Sequence, residues 1–388
     1  MAGAERSLQP LYDGSPRIEA LKGRLQRGEC PLIEIDDEGE IVAASYAAIG
    51  DSGRLDAQLP LVAVRTEALL ERARAGIRSP MPAGPRRAPA KFSRLLALKA
   101  RARRLAGRLL APLRRRAPRR HWTIAFRWDD TPADIRHFDL AAYAALPVDP
   151  ETFHADPFVL VHEGRHFLFA EAFPYATGKG VIVCAEAAKG EAPGPFRIVL
   201  EEPWHLSYPQ VFAHRGELYL LPESSAKGGL DLYRANRFPD RWEKVRTLFE
   251  GLSLVDATVL EHEGRLWLLA GVGAPGGSDW DELFAWHAPA IEGPWTPHTL
   301  NPIKSDCRGA RPGGRILRIG DRLLRPAQRC ERAYGEALVW FEIATLTPDA
   351  FEEVEVSEWR AAGPGLSGPH TADLSTALRV VDFRQLLG

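Results

Sequence analysis

The chain has 388 residues, 45% hydrophobic and 26% charged, with 34 Gly and 31 Pro. That composition excludes a collagen repeat, a disulfide-rich mini-protein and a wholly disordered chain, and it leaves ample apolar material for a core. The formal net charge of −1 hides a segregation: residues 72–128 carry 18 Arg or Lys and no acid, so the rest holds 32 bases against 51 acids, a net of −19.

Met1–Pro10 contain Glu5 and Arg6 and no apolar run, so no signal peptide is expected, and no stretch approaches the 18 apolar residues of a spanning helix. Cys30, Cys184, Cys307 and Cys330 lack C-x-x-C spacing and read as reduced thiols rather than a disulfide frame or a zinc site. A cytoplasmic protein is expected. The Arg-rich, Lys-poor usage suggests a GC-rich bacterial genome.

Residues 1–80 read as a small α/β region. Pro31–Ile35 and Ile41–Ala44 flank the turn Asp37–Gly39 as a hairpin. Leu61–Val64 reads as a further strand, followed by a helix around Glu67–Ala75. Residues 81–120 form a connector. It is Pro-rich at its start, with a helix expected from Phe92 to Leu113. Apolar residues recur there at Phe92, Leu95, Leu98, Ala102, Leu105, Leu109 and Leu113, among Lys99, Arg101, Arg103, Arg104 and Arg108. Such a helix either packs its Leu stripe on the acidic body or lies on an anionic membrane surface through residues 91–120, which would place the protein peripherally at the inner membrane. No nucleic-acid partner is expected.

Residues 121–388 repeat. Asp156–Glu171, Tyr208–Glu223, Asp256–Gly271 and Pro312–Ala327 align on turn glycines 164, 216, 264 and 320, spaced by 52, 48 and 56 residues. Each unit is an apolar strand, a Gly turn and a second apolar strand, with two further strand candidates before the next unit. Four strands per unit of about 50 residues is the pattern of a β-propeller. The expected fold is therefore mainly β, a five-bladed propeller preceded by the α/β region and the connector. The fifth blade is expected to run from Leu338–Phe341 through His370–Asp373 to Val380–Phe383. Trp122–Phe126 is expected to pair with it and close the ring.

The first strand of each blade lines the channel of a propeller, so its entry and the end of strand two face a ligand. Asp156, Tyr208, Asp256 and Pro312 hold the first position, and Glu171, Glu223, Gly271 and Ala327 the second. Core positions repeat while these rim positions change chemistry. Asp156, Glu171, Glu223 and Asp256 form a candidate carboxylate cluster, with Tyr208, Arg308, Arg311, Arg325, Gln328 and His370 as candidate binding residues. Clustered carboxyls push one another's pKa apart, as acid and base roles require. Asp156 can equally be turn chemistry, its side chain accepting backbone N–H groups. The recurring His162, His214 and His262 lie near the turn glycines and read as repeat residues. Trp204–Pro209 carries side chains suited to a sugar. Nothing resembles a Walker or Rossmann loop, so no metal and no cofactor are expected.

Leu206-Ser-Tyr-Pro209, Leu221-Pro-Glu-Ser224, Leu232-Tyr-Arg-Ala235, Val255-Asp-Ala-Thr258, Ala310-Arg-Pro-Gly313 and Arg325-Pro-Ala-Gln328 occur in this order. Together they make residues 121–388 resemble the N-terminal domain of glucosamine inositolphosphorylceramide transferases. That domain is in turn similar to the five-bladed propellers of the arabinanase, levansucrase and invertase superfamily, which includes family 43 glycoside hydrolases. The resemblance implies a carbohydrate-active protein, related to glycosyltransferases, in bacterial surface-glycan or glycolipid assembly. By blade position it implies Asp156 as base, Glu223 as acid and Asp256 as pKa modulator, as in an inverting glycosidase-like hydrolase. In the plant transferases a separate glycosyltransferase domain accompanies the propeller. The resemblance therefore also allows a non-catalytic module that binds a glycan or glycolipid for a partner glycosyltransferase.

Overall fold

A computed structural model describes residues 7–50, 54–77, 81–82, 90–95, 98, 102 and 119–387. Five antiparallel sheets, four of four strands and one of five, surround one axis, and the apolar residues of their inner strands explain them: each sheet packs on the neighbouring blade. Blade one comprises Thr152–His162, Arg165–Pro174, Val181–Ala187 and Arg197–Leu200. Blade two comprises Ser207–His214, Glu217–Glu223, Gly229–Arg237 and Arg241–Glu250. Blade three comprises Leu254–His262, Arg265–Val272, Glu282–Ala288 and the short outer strand Thr296–Pro297, with Lys304–Ser305 also on the third strand. Blade four comprises Leu317–Ile319, Arg322–Arg329, Ala337–Leu346 and Phe351–Trp359.

Blade five differs from the expectation. Leu338–Phe341 belongs to the third strand of blade four, because Leu338 pairs with Gln328 on one side and Trp359 on the other. The last sheet is instead assembled from both ends of the propeller: Ala372–Asp373, Leu378–Leu387, Arg119–Trp128 and Ala144–Ala145. Trp122 pairs with Arg384 and Phe126 with Val380, so the closing strand does join the last blade. Pairing the first strand with the last leaves no open edge between the two ends of the ring.

Blade-to-blade packing is apolar. Phe158, Phe169, Tyr208, Val211 and Leu220 fill the space between blades one and two, and Leu254, Leu268, Ala270 and Trp286 continue with Leu221 and Leu232 between blades two and three. Each such large side chain contributes about 1.5–3 kcal/mol by leaving water.

The N-terminal region is an antiparallel sheet of Leu8–Tyr12, Leu32–Asp37 and Glu40–Tyr46 covered by the helix Leu55–Arg74. Leu61–Val64 is thus helical, not a strand. The run is apolar, but Gln58, Val62, Arg65, Thr66, Leu69 and Ala73 are the buried positions, and their spacing of three and four is that of a helix face. This region sits on blade three. Arg65 donates to Asp281 at 2.6 Å and lies 2.5 Å from Glu282, and the Ala48 N–H donates to Asp281 at 2.9 Å. The helix expected over Phe92–Leu113 is helical at Arg94, Leu95, Leu98 and Ala102, and most of its remainder lies outside the described residues.

Candidate functional site

The inner strands of blades one to three share a local distortion at their entry. Asp156, Tyr208 and Asp256 have φ of 53°, 45° and 52°, and the ladder register shifts at each. A non-glycine residue in this left-handed region costs on the order of 1–3 kcal/mol unless its surroundings hold it there. The surroundings here are acids of the preceding blade. The Asp156 N–H donates to Asp382 Oδ2 at 3.0 Å, the Tyr208 N–H to Asp156 Oδ2 at 3.2 Å, and the Asp256 N–H to Glu223 Oε2 at 3.0 Å. The rim carboxylates therefore link the blades, and Asp156 bonds the backbone of the next blade rather than its own turn.

The same distortion turns side chains into a cavity of about 240 Å³ at this mouth. Asp156, Glu171, Glu223, Asp256, Arg311 and His370 line it, together with Trp122, Phe153, Phe173, His205, Ser207 and Tyr334. His370 stands between two carboxylates, with Nδ1 2.7 Å from Asp382 Oδ2 and Nε2 3.3 Å from Asp156 Oδ1. Trp122 stacks on it, ring centroids 3.9 Å apart. Thr371 Oγ1 donates to Asp156 Oδ1 at 2.8 Å. Burial pushes the Asp156 carboxyl up, and the neighbouring His370 opposes that shift.

Arg311 serves the other side of the cavity. Its Nε donates to Asp256 Oδ2 at 2.6 Å, its Nη1 to Asp279 Oδ2 at 2.9 Å, and its Nη2 lies 3.7 Å from Glu223 Oε2. Ser225 Oγ donates to Glu223 Oε1 at 2.6 Å. Burial raises the Asp256 carboxyl well above its ordinary value, with Arg311 opposing.

Glu171 is the odd member. Its ion-pair contact among the described residues is His205, Nε2 to Oε1 at 3.4 Å. His205 Nδ1 accepts the Gly180 N–H at 2.8 Å, so the ring proton sits on Nε2, facing Glu171. Burial lowers the pKa of this imidazole. Burial, reinforced by the charges of Asp156, Glu223, Asp256 and Asp382, raises the Glu171 carboxyl well above the usual range. One mouth thus holds carboxyls with different partners: Asp256 and Glu223 beside a guanidinium, Glu171 beside an imidazole.

The remaining candidates fall elsewhere. Tyr208 is fully buried behind the cavity, its hydroxyl bonded to Thr258 and to the Gly314 backbone. Gln328 supports rather than lines the site, donating to Asp256 Oδ2 at 2.8 Å. Arg308 pairs with Asp306 and lies over the Tyr46 ring, at the junction with the N-terminal sheet. Arg325 pairs with Glu353. Blade three lacks a counterpart of Glu171 because a Cβ at Gly271 would lie 2.6 Å from Val255 Cγ2. Trp122, Tyr334, Phe153, Phe173 and Asp382 are cavity or support residues that the sequence repeats do not single out, since each lies at a position with no equivalent in the aligned units.

Asp156, His370 and Asp382 bring ligand atoms within 4.8 Å of one another, a set that could hold a cation. Their carboxylate oxygens already accept N–H and O–H donors, whereas the buried His370 Nδ1, 2.7 Å from Asp382 Oδ2, makes no aligned hydrogen bond.

Comparison with known proteins adds to this geometry. A family model described as glucosamine inositolphosphorylceramide transferase 1, N-terminal, matches residues 141–362. Glucosamine inositolphosphorylceramide transferase 1 of Oryza sativa subsp. japonica is 34% identical over 259 residues, covering 61% of this chain and 35% of the relative. Its Arabidopsis thaliana namesake is 38% identical over 214 residues, covering 53% and 28%. The chain spans about a third of the length of these relatives. Among solved structures, Zg3597, a family 117 glycoside hydrolase of Zobellia galactanivorans, aligns with a TM-score of 0.44 and 12% identity over 69% of this chain and 90% of that one. The family 43 protein BlXynB of Bacillus licheniformis aligns with a TM-score of 0.42 and 13% identity over 59% and 53%.

Proposed function

The chain belongs to the family of glucosamine inositolphosphorylceramide transferase N-terminal domains, and from that premise we propose that its cavity binds a sugar unit of a glycolipid or surface glycan and moves a proton at it. One observation carries this reading: a cavity of about 240 Å³ gathers four carboxyls, one Arg and two His from four blades and the closing sheet, beside Trp122, Phe153, Phe173 and Tyr334. Ligand pockets for larger molecules run from about 300 Å³ upward, so this one suits a single ring. Aromatic faces suit the C–H face of a sugar, and carboxylates accept from its hydroxyls.

The division of roles follows from the partners of each acid. Asp156, in contact with His370, accepts a proton from an attacking hydroxyl or water, and His370 and Asp382 spread the charge. Glu171, without a guanidinium and raised in pKa, is the better-placed proton donor. Glu223 and Asp256, both beside Arg311, set the field. This moves the acid role from Glu223 to Glu171, while Asp156 keeps the role of base. The relatives are named glucosamine inositolphosphorylceramide transferases, and the matched region is about a third of their length. The match to the part of these transferases described as N-terminal favours, as the second reading, a propeller that holds the acceptor for a partner glycosyltransferase.

The test is a calorimetric binding panel of monosaccharides and glycolipid headgroups, followed by turnover assays on the binders. Asp156→Asn keeps an acceptor for the Tyr208 N–H and is expected to lower turnover by about 100-fold or more, the usual range for a lost general base. Binding without turnover in the wild-type protein transfers the site to the second reading. A cavity that binds no sugar defeats both.

A further inference from the structure

The N-terminal region meets the propeller close to the cavity, and the contact converges on one loop. Gly273–Asp281 joins the second and third strands of blade three. Gly273, Gly276 and Gly277 give it little stiffness of its own, and Gly276 stands at a φ of 71°. Its last residues are held from outside. The buried Arg65 guanidinium sits between Asp281 and Glu282, and Arg72 also pairs with Glu282. Displacing either partner would leave a charge stranded out of water, so the pair admits one placement. At the same junction Ser305 Oγ donates to Ser45 Oγ at 2.9 Å, and the Cys307 N–H to the Tyr46 carbonyl at 3.0 Å.

Trp280 precedes Asp281 and has neighbours on two sides. On one side it packs against the junction cluster of Cys30, Leu32, Ala44, Tyr46, Ala48 and Cys307. On the other its ring centroid lies 5.5 Å from that of Tyr334, a lining residue of the cavity. Tyr334 stands edge-on to His370 at 5.5 Å and to Trp122 at 6.5 Å, and the Arg311 guanidinium lies over its ring at 5.0 Å. Asp279, from the same loop, accepts from Arg311 Nη1 at 2.9 Å. Two routes, one aromatic and one ionic, therefore run from this loop to residues that line the cavity.

We infer that Trp280 is a positioning residue: the N-terminal region, through Arg65 and Asp281, holds it against Tyr334 and so fixes the side of the cavity formed by Tyr334, Trp122 and Arg311. Groups that touch a ligand are placed only as well as the groups behind them. Aromatic pairs at these separations have preferred geometries, so a tilt of Trp280 passes to Tyr334 and Trp122. The N-terminal region thus belongs to the site rather than only covering blade three. The inference rests on the reading of this cavity as the ligand site, but its first test needs no ligand.

The experiment is 19F NMR of the full chain labelled with 5-fluorotryptophan, one resonance for each of its ten Trp. Phe substitutions assign Trp122, Trp280 and, as controls, Trp242 and Trp359 in the outer strands of blades two and four. Arg65→Gln is expected to shift Trp280 and also the distant Trp122, while Trp242 and Trp359 keep their places. Unmoved controls show that the propeller remains folded. Trp280→Leu leaves every ion pair intact and is the second variant, should Arg65→Gln fail to fold; it is expected to shift Trp122 alone among the three remaining reporters. Calorimetric titration with glucose, galactose and glucosamine follows. Any of these that the wild-type protein binds should bind about tenfold more weakly to either variant, a loss of about 1.4 kcal/mol. A Trp122 resonance unmoved by both substitutions overturns the inference, and so does sugar affinity that both leave unchanged. Shifts of Trp280 and Trp122 in a protein that binds none of the three sugars sustain the positioning and count against the sugar reading alone.

Discussion

The two ends of the propeller differ in a way that cavity size does not reveal. The end carrying the hairpin tips has two cavities of about 510 Å³ each, one lined by Asp129–Ala133, Ile316–Ile319 and Leu374–Ala377, the other by Ala133–His137 and Arg322. The strand-entry end has a cavity of about 240 Å³. Yet Asp130, Thr131, Arg318 and Ser375 of the larger cavities are exposed and solvated, whereas Asp156, Glu171, Glu223, Asp256, Arg311 and His370 of the smaller one are buried. A charge that water can reach is inexpensive and chemically ordinary. A charge held out of water must be compensated by neighbours, and that compensation sets its pKa.

Removing a cation from each end breaks the comparison most directly. Arg311→Ala leaves Asp256 and Glu223 buried without their guanidinium. The loss of one partner of a buried pair costs about 3–5 kcal/mol, and chemical denaturation should show a loss of that size. Arg318→Ala at the exposed end should change stability by no more than about 0.5 kcal/mol. Similar losses at the two ends would mean that the buried network is not under electrostatic tension.

Gly180→Ala sharpens the contrast without touching a charge. A Cβ there would stand 2.4 Å from the Leu206 carbonyl oxygen, 2.7 Å from Glu171 Oε1 and 2.7 Å from His205 Cε1. Two of these contacts are the pair that opens the cavity, and the third is backbone, so something must shift. Overpacking of this kind costs about 1–3 kcal/mol. Thermal unfolding and sugar binding are expected to suffer together, because the displaced groups are lining residues. A variant as stable as wild type with unaltered binding would show that this wall is soft.

How far the sequence foreshadows these features depends on whether a residue lies in a repeat. Glycines 164, 216, 264 and 320 mark the hairpins, and the rim positions counted from them locate Asp156, Glu171, Glu223 and Asp256 in one mouth. Blade five escapes the count because its inner strand, Ala372–Asp373, is two residues long and two of its strands come from the other end of the propeller. Trp122 meets His370 only through that closure, Asp382 reaches it across the short last hairpin, and neither lies in an aligned unit. Arg308 and Arg325 illustrate the converse. Each is near the rim in sequence, but an acid beyond the cavity, Asp306 or Glu353, holds its guanidinium. Leu61–Val64 misleads for a third reason: four apolar residues in a row satisfy a strand, and only Leu69 and Ala73 farther along disclose the helical period.

The finest test concerns Glu171, where the two ends differ by one proton. Its carboxyl is raised in the folded protein by burial and by the charges of Asp156, Glu223, Asp256 and Asp382. Unfolded, it returns to its ordinary value of 4.5. Above that pH the folded chain keeps a proton that the unfolded chain has released. The proton-linked stability is therefore complete below the ordinary value and is lost as pH rises toward the folded one. Glu171→Gln carries no titrating proton at this position, while the other acids remain in both proteins. The variant's stability relative to wild type should climb from acid to neutral pH, by at most about 1.4 kcal/mol per pH unit while the wild-type carboxyl stays protonated. Denaturation midpoints of the pair measured from pH 5 to pH 8 read this difference. A difference flat with pH would place Glu171 among ordinary solvated acids like those of the hairpin-tip end, and would remove it as proton donor without touching the role of Asp156.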